Sequence, residues 1–259
     1  MEKYKLLKDQ LKMLDLSAIN DIFAEKAEEY RKSGLDYVEY LGDLINHQIK
    51  KRIERSINYR LRTARFPWIK TYSEYDFDYQ DSLNKEQYLS LMKMEFVKTK
   101  ENVILLGPPG VGKTHLAISL GVVACENRIR TLFISASDLI EELKLAKVTK
   151  SLADYIEKMN RYPLLIIDEL GYMPLTEEDA NLFFQLISRK YENSSIIITT
   201  NQRFKDWGKV FQDDVIAAAI LDRLLHHSYI FTIIGKSFRL KGKSRELKSQ
   251  KLIKEVGQN

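Results

Sequence analysis

The rhythm of polar and apolar positions changes twice along this chain. Up to residue 66, apolar side chains recur at threes and fours, the spacing of one helix face. Leu6, Leu7, Leu11 and Leu14 mark a first helix, and a second runs from about Ser17 to Lys32, closed by Gly34. A third starts near Asp36, carries Tyr37, Tyr40, Leu41, Leu44, Ile45, Ile49, Ile53 and Ile57, and stops ahead of Pro67. From Phe66 to Tyr88 the chain reads FPWIKTYSEYDFDYQDSLNKEQY, with no lasting period. This is a linker whose aromatic rings either pack on a neighbouring domain or stack on bases or on an adenine. Beyond it, short continuous apolar runs at 102–106, 131–134, 164–167, 195–199 and 229–234 alternate with helical stretches, including one from Ser137 to Asn160 interrupted near Thr149. Strands without polar alternation are buried on both faces, and their alternation with helices predicts an α/β fold with a doubly wound parallel sheet. The expected organisation is a small all-helical N-terminal domain over 1–66, the linker over 67–88, an α/β domain over 89–240 and a tail over 241–259.

Composition adds to this picture mainly through charge. In 259 residues, 44% hydrophobic and 30% charged, there is enough apolar surface for a sizeable core. The start, MEKYKLLKDQ, is charged from its second residue and no run reaches membrane-spanning length, so a cytoplasmic protein without a membrane partner is expected, nucleoid-associated through any DNA it binds. Cys125 is the single cysteine, which leaves no thiolate metal set and no zinc finger. The net charge is +5, and its distribution matters more than its size. Between Lys50 and Lys70 the cations Lys50, Lys51, Arg52, Arg55, Arg60, Arg62, Arg65 and Lys70 face the single acid Glu54. From Gly235 onward Lys236, Arg239, Lys241, Lys243, Arg245, Lys248, Lys251 and Lys254 face Glu246 and Glu255. Both blocks suit a polyanion, and both also read as solvated surface. In the first block Arg52, Arg55 and Arg62 share a helix face with Lys51 beside them, while Ile49, Ile53 and Ile57 form a packing face.

The most specific stretch is Gly107-Pro108-Pro109-Gly110-Val111-Gly112-Lys113-Thr114, between the apolar run Val103–Leu106 and the helical pattern that starts at His115. It fits the phosphate-loop spacing in both sequence and context. Glycines let successive N–H groups converge on an anion at the positive end of the next helix. Lys113 supplies a cation for the terminal phosphates of ATP, and the Thr114 hydroxyl is a magnesium ligand. The run Leu164–Glu169 ends in two carboxylates at the sheet edge where such folds bind ligands, which suits Asp168 to the magnesium shell and Glu169 to activating a water. The run Ile196–Asn201 ends in an amide, either a hydrogen-bond donor to the γ-phosphate or lytic water, or a plain turn residue.

Taken together, GPPGVGKTHLA, LLIIDELGYMPL, IIITTN and LDRLLHHS closely resemble the P-loop AAA+ ATPases of the initiator and helicase-loader group. Within that group RSINYRLRTARFP, DELGYMPL and GKSFRLK are similar to the IstB-type transposition helper ATPases of insertion sequences. The resemblance covers nearly the whole chain. It implies that Gly107–Thr114 is Walker A, that Asp168 and Glu169 are Walker B, that Asn201 is sensor 1, and that Arg223 is an arginine finger reaching a neighbouring subunit's nucleotide. It also implies that Ser137–Asn160 lines the path of nucleic acid, with Lys144, Lys147 and Lys150 as candidate phosphate contacts. The stretch after Ile234 is short for the helical lid of many AAA+ proteins, so Arg239 lacks the context of a sensor-2 arginine. The resemblance implies a magnesium-dependent ATPase, stimulated by assembly on DNA, that forms a homo-oligomer on duplex target DNA and recruits and stimulates a cognate transposase. The alternative is a replicative helicase loader of the DnaC type, against which stand the basic rod and the missing zinc-ligand set. A metabolic P-loop kinase is disfavoured by Glu169 and Arg223, which suit water attack and activation in trans.

Overall fold

The computed structural model describes residues 2–80, 82–235 and 237–238. Lys236, Arg239 and the basic tail over 241–259 lie outside the described residues. The chain divides into two compact units, Met1–Tyr59 and Arg60–Asn259.

The first unit holds α1 (Glu2–Met13), α2 (Ser17–Ser33) and most of α3 (Tyr37–Thr63). Gly34 closes α2 in the left-handed conformation, φ 64°, where a Cβ would be strained. The start of α2 has no cap of its own. The Gln48 amide oxygen accepts the Ala18 and Ile19 N–H groups at 3.0 and 3.1 Å instead, tying α3 to the first turn of α2. Ile19, Phe23 and Leu44 form the small core beside this bond, with Leu11, Leu16, Ile22 and Tyr40 around it.

In the second unit α4 (Lys85–Ser90) and α5 (Glu95–Lys98) lead into β1 (Asn102–Leu106), followed by α6 (Lys113–Glu126) and β2 (Thr131–Ser135). Then come α7 (Ala136–Val148), α8 (Leu152–Asn160), β3 (Leu164–Leu170), α9 (Glu177–Lys190), β4 (Ser195–Thr200), α10 (Trp207–Phe211), α11 (Asp214–Leu225) and β5 (Ser228–Thr232). The sheet order is β2-β3-β4-β1-β5 and every pairing is parallel. Alternate side chains of each central strand enter different cores. Ile104, Ile167 and Ile198 pack with α7, α9 and α11, whereas Val103, Leu105, Ile166 and Ile197 pack with α6 and the segment before β1. A strand apolar on both faces thus requires helices on both faces, as its unbroken apolar sequence predicted. None of the described helices is long and apolar enough to cross a membrane.

The division falls inside α3, ahead of the expected boundary at residue 66. The reason is that Ala64, at the end of the expected helical domain, and the residues read as a linker are built into the α/β unit. Ala64 carbonyl accepts the Phe133 N–H at 2.8 Å along the outer edge of β2. The Tyr75 hydroxyl donates to Val111 carbonyl at 3.0 Å, and the fully buried Tyr88 hydroxyl bonds Leu116 carbonyl and the Ser119 hydroxyl at 2.9 and 2.7 Å. Of the two readings of this aromatic stretch, these rings follow the packing one.

Candidate nucleotide-binding site

All five strands point their C-terminal ends to one edge, and the phosphate loop lies there, at the end of β1. The Gly107 N–H bonds Thr200 carbonyl at 3.1 Å, so the loop leaves the sheet from a fixed point beside β4. Gly110 and Gly112 have φ of 83° and 95°, backbone that other residues rarely adopt. At Gly112 a Cβ would also stand 2.5 Å from the Tyr75 ring. The loop is closed by Lys113, 7% exposed, whose ammonium donates to the Gly107 and Pro108 carbonyls at 2.7 and 2.9 Å. Lys113 is also the first residue of α6, so the first-turn N–H groups and the positive end of that helix face the same concavity.

The acidic pair is set by an irregularity of β3. Pairing with β4 shifts register between Ile167 and Leu170, and Glu169 adopts φ 62°. This bulge buries Asp168 and leaves Glu169 exposed, so that two consecutive carboxylates are placed differently. The Thr114 hydroxyl lies 2.9 and 3.1 Å from the two Asp168 oxygens. Thr199, fully buried in β4, donates its hydroxyl to Asp168 Oδ1 at 2.6 Å and accepts the Glu169 N–H at 2.9 Å. Hydroxyl and carboxylate oxygens of this kind are the donor set of a hard divalent cation, and the loop amides with Lys113 suit a polyphosphate. Two cavities, of about 170 and 710 Å³, adjoin here and share Trp68, Thr114 and Glu169. The smaller lies over Gly110, Gly112 and Lys113, and the larger runs toward Ser135, Asp138 and Glu142.

The structure therefore gathers Gly107–Thr114, Asp168 and Glu169 at one place. Asn201 immediately follows β4, and its side-chain oxygen is buried with no hydrogen-bond partner among the described residues. Arg223 is on α11 and lines neither cavity; its guanidinium sits 4.7 Å from the Phe184 ring centre and donates to Ala219 carbonyl at 2.9 Å. Of the candidate DNA contacts, Lys144 and Lys147 are paired with Asp179 and Glu178 at 2.8 and 2.6 Å. Lys51 pairs with Glu54 at 3.0 Å, and Arg55 donates to the Ser17 hydroxyl at 2.8 Å. Lys150 stands exposed in the turn after α7, at φ 56°. Sequence reasoning missed Thr199 and Trp68. The signal for the first was there, because a threonine inside an apolar strand that is buried on both faces must bond something.

Cys125 is buried, and burial pushes its thiol up to about 11, which suits a packing residue.

A family model described as IstB-like ATP binding protein matches residues 9–246. The ATP-binding protein of insertion sequence IS21 from Pseudomonas aeruginosa is 44% identical over 245 residues, 95% of this chain and 91% of that one. The corresponding protein of IS232 from Bacillus thuringiensis subsp. berliner is 42% identical over 238 residues, 92% of this chain and 95% of that one. Among solved structures, the crystal structure of DnaI superposes with a TM-score of 0.55 at 21% identity, over 63% of this chain and 90% of that one. AMPPCP-bound DnaA from Aquifex aeolicus gives 0.53 at 18% identity, over 69% and 54%. These two likenesses are of fold alone, that of the α/β core.

Proposed function

The chain belongs to the IstB-like ATP-binding protein family of insertion sequences, and from that premise we propose that it is a magnesium-dependent ATPase that assembles on duplex target DNA and recruits and stimulates its element's transposase. The observation that carries the catalytic half is the set Thr114, Asp168, Thr199 and Glu169, hydrogen-bonded across three elements beside a phosphate loop. In this reading the N–H groups of Gly110, Val111 and Gly112 and the start of α6 hold the β- and γ-phosphates, with Lys113 supplying positive charge to them. Thr114 and Asp168 hold magnesium, which neutralises charge on the terminal phosphates. Glu169, exposed into the cleft, takes the proton of a water as its oxygen bonds the γ-phosphorus and the bond to the bridging oxygen breaks, leaving ADP and phosphate. Asn201, immediately after β4, orients that water or the γ-phosphate by donating from its side-chain NH2. Arg223 acts in trans, on the nucleotide of a neighbouring subunit.

The DNA-binding half rests on charge. The exposed Lys51–Glu54 pair is screened by solvent and gives way readily to a phosphate, which keeps Lys51 with Arg52, Arg55 and Arg62 as the leading contacts. Lys147 is paired at the surface in the same way, and Lys150 remains a candidate beside it. Lys144 is bound to a carboxylate only 6% exposed and is the least available. The helicase-loader reading has only the shared fold in its favour, since the relatives at 42–44% identity are insertion-sequence proteins.

The test is a pair of variants of the full chain. Lys113→Ala is expected to lose binding of a fluorescent ATP analogue, and Glu169→Gln to keep it while phosphate release falls by about two to four orders of magnitude. Normal hydrolysis by Glu169→Gln would remove this residue from the reaction.

A further inference from the structure

The opposite edge of the sheet, where the strands begin, carries a second cluster of donor groups. Two helices, α9 and α11, end there at Lys190 and Leu225, and the chain leaving each turns into β4 or β5, the strands on either side of β1. Glu192 and the consecutive His226 and His227 stand in those two turns, all exposed, with one nitrogen of each imidazole and a carboxylate oxygen within 4.8 Å of one another.

The backbone that carries them is fixed. His226 caps α11, its N–H bonded to Asp222 carbonyl at 3.1 Å, and His227 carbonyl accepts the N–H of Asn102 at the start of β1 at 2.8 Å. Glu192 holds a left-handed φ of 55°, and the following Asn193 bonds Lys190 carbonyl through its N–H and the Arg189 and Tyr191 carbonyls through its side chain. Ligands on an anchored backbone lose little entropy on closing round an ion. The field points the same way. Both helices turn their negative, carbonyl ends toward the cluster, which favours a cation there. Arg223, the cation on the last turn of α11, is drawn aside over Phe184. The Tyr191 hydroxyl lies 2.8 Å from Nδ1 of His226. With the proton on Nδ1 this hydroxyl accepts it, leaving the Nε2 lone pair for a ligand bond, the usual partner arrangement of a metal-bound imidazole.

We propose that Glu192, His226 and His227 bind one divalent transition-metal ion of the zinc class, with water completing a tetrahedral shell. Two imidazoles select such an ion over magnesium or calcium, whose shells are built of oxygen. Bond lengths of 2.0–2.1 Å put tetrahedral ligand atoms about 3.4 Å apart, so these exposed side chains need only small rotations to close from their present separation. The ion would tie the end of α11 to the turn between α9 and β4. The site is remote from the phosphate loop and does not depend on the nucleotide reading.

The experiment uses the untagged full chain, stripped with chelator, in titrations of zinc against a chromophoric chelator and of cobalt followed by visible absorption. One equivalent of zinc and an intense tetrahedral cobalt band are expected. His227→Ala and Glu192→Gln should each weaken binding by at least about tenfold, and Tyr191→Phe by about tenfold, the usual cost of losing a ligand's partner. The double variant His226→Ala/His227→Ala should lose both signals while keeping the far-ultraviolet circular dichroism of the parent in chelator. An absence of binding in the parent, or binding that the double variant retains, overturns the proposal.

Discussion

The Thr199 hydroxyl is the smallest group on which the acidic pair depends, because it holds Asp168 with its proton and the Glu169 backbone with its lone pair. Replacing it by valine keeps the shape and removes both bonds. The Glu169 N–H then loses its partner, at a cost of about 1–3 kcal/mol to stability, and the bulge that separates the two carboxylates is released. Thr199→Val is therefore expected to lower both the unfolding midpoint and the rate of phosphate release, while binding of an ATP analogue, carried by the loop and Lys113, changes little. Unchanged turnover would mean that the bulge holds itself. The roles of Glu169 and Thr199 separate in this comparison, since Glu169→Gln removes only chemistry and should leave the midpoint near that of the parent.

Among the elements, α9 contains the least expected residue of the core. Lys190, on its last turn, is fully buried, with its ammonium donating to the Met159 and Tyr162 carbonyls at 3.2 and 3.1 Å, so that it caps the end of α8. Burial pulls its pKa down from 10.5 to about 7, against the pull of those two carbonyls. Between these values the unfolded chain holds a proton that the folded chain gives up, so stability rises with pH from about 7 to about 10.5, and the penalty is fully present below that window. Lys190→Met should flatten this slope relative to the parent in urea unfolding at a series of pH values; an unaltered slope would show that the lysine stays charged inside. No periodicity announces such a residue, since a lysine at a helix end normally faces water. The strands, in contrast, were legible because burial on two faces leaves no polar position in runs such as Leu164–Ile167 or Ile196–Ile198, and the glycines were legible because only a left-handed backbone requires them. The β3 bulge was not, because Asp168 and Glu169 alike are common strand terminators. Nor were the attachments of Tyr75 and Tyr88, since an aromatic run carries no sign of which surface it covers.

For the whole molecule, the proposed function requires subunits and DNA to act together. Mixing Arg223→Ala with Lys113→Ala chains should recover part of the ATPase activity that each lacks alone, because some interfaces then join an intact pocket to an intact finger; mixed assemblies without recovery would exclude action in trans. Replacing Arg52, Arg55 and Arg62 by alanine should weaken duplex binding evenly across sequences and reduce the salt slope by roughly one unit per lost contact, with ATP-analogue binding unchanged. Unaltered affinity and slope would make that face of α3 plain solvated surface. The strand order has a further consequence, for the way the chain is made. Strand β1 lies inside the sheet between β4 and β5, so Val103 pairs with Ile197 and with Tyr229, both far along the sequence. During synthesis the strand that bears the phosphate loop emerges first and waits for neighbours, because β2 and β3 pair with each other and not with it. A ribosome-stalled chain ending before Ser195 should therefore leave its loop open to protease whether or not nucleotide is present, with protection appearing only once β4 has cleared the exit tunnel. Nascent protein would thus be unable to engage ATP until most of its length exists.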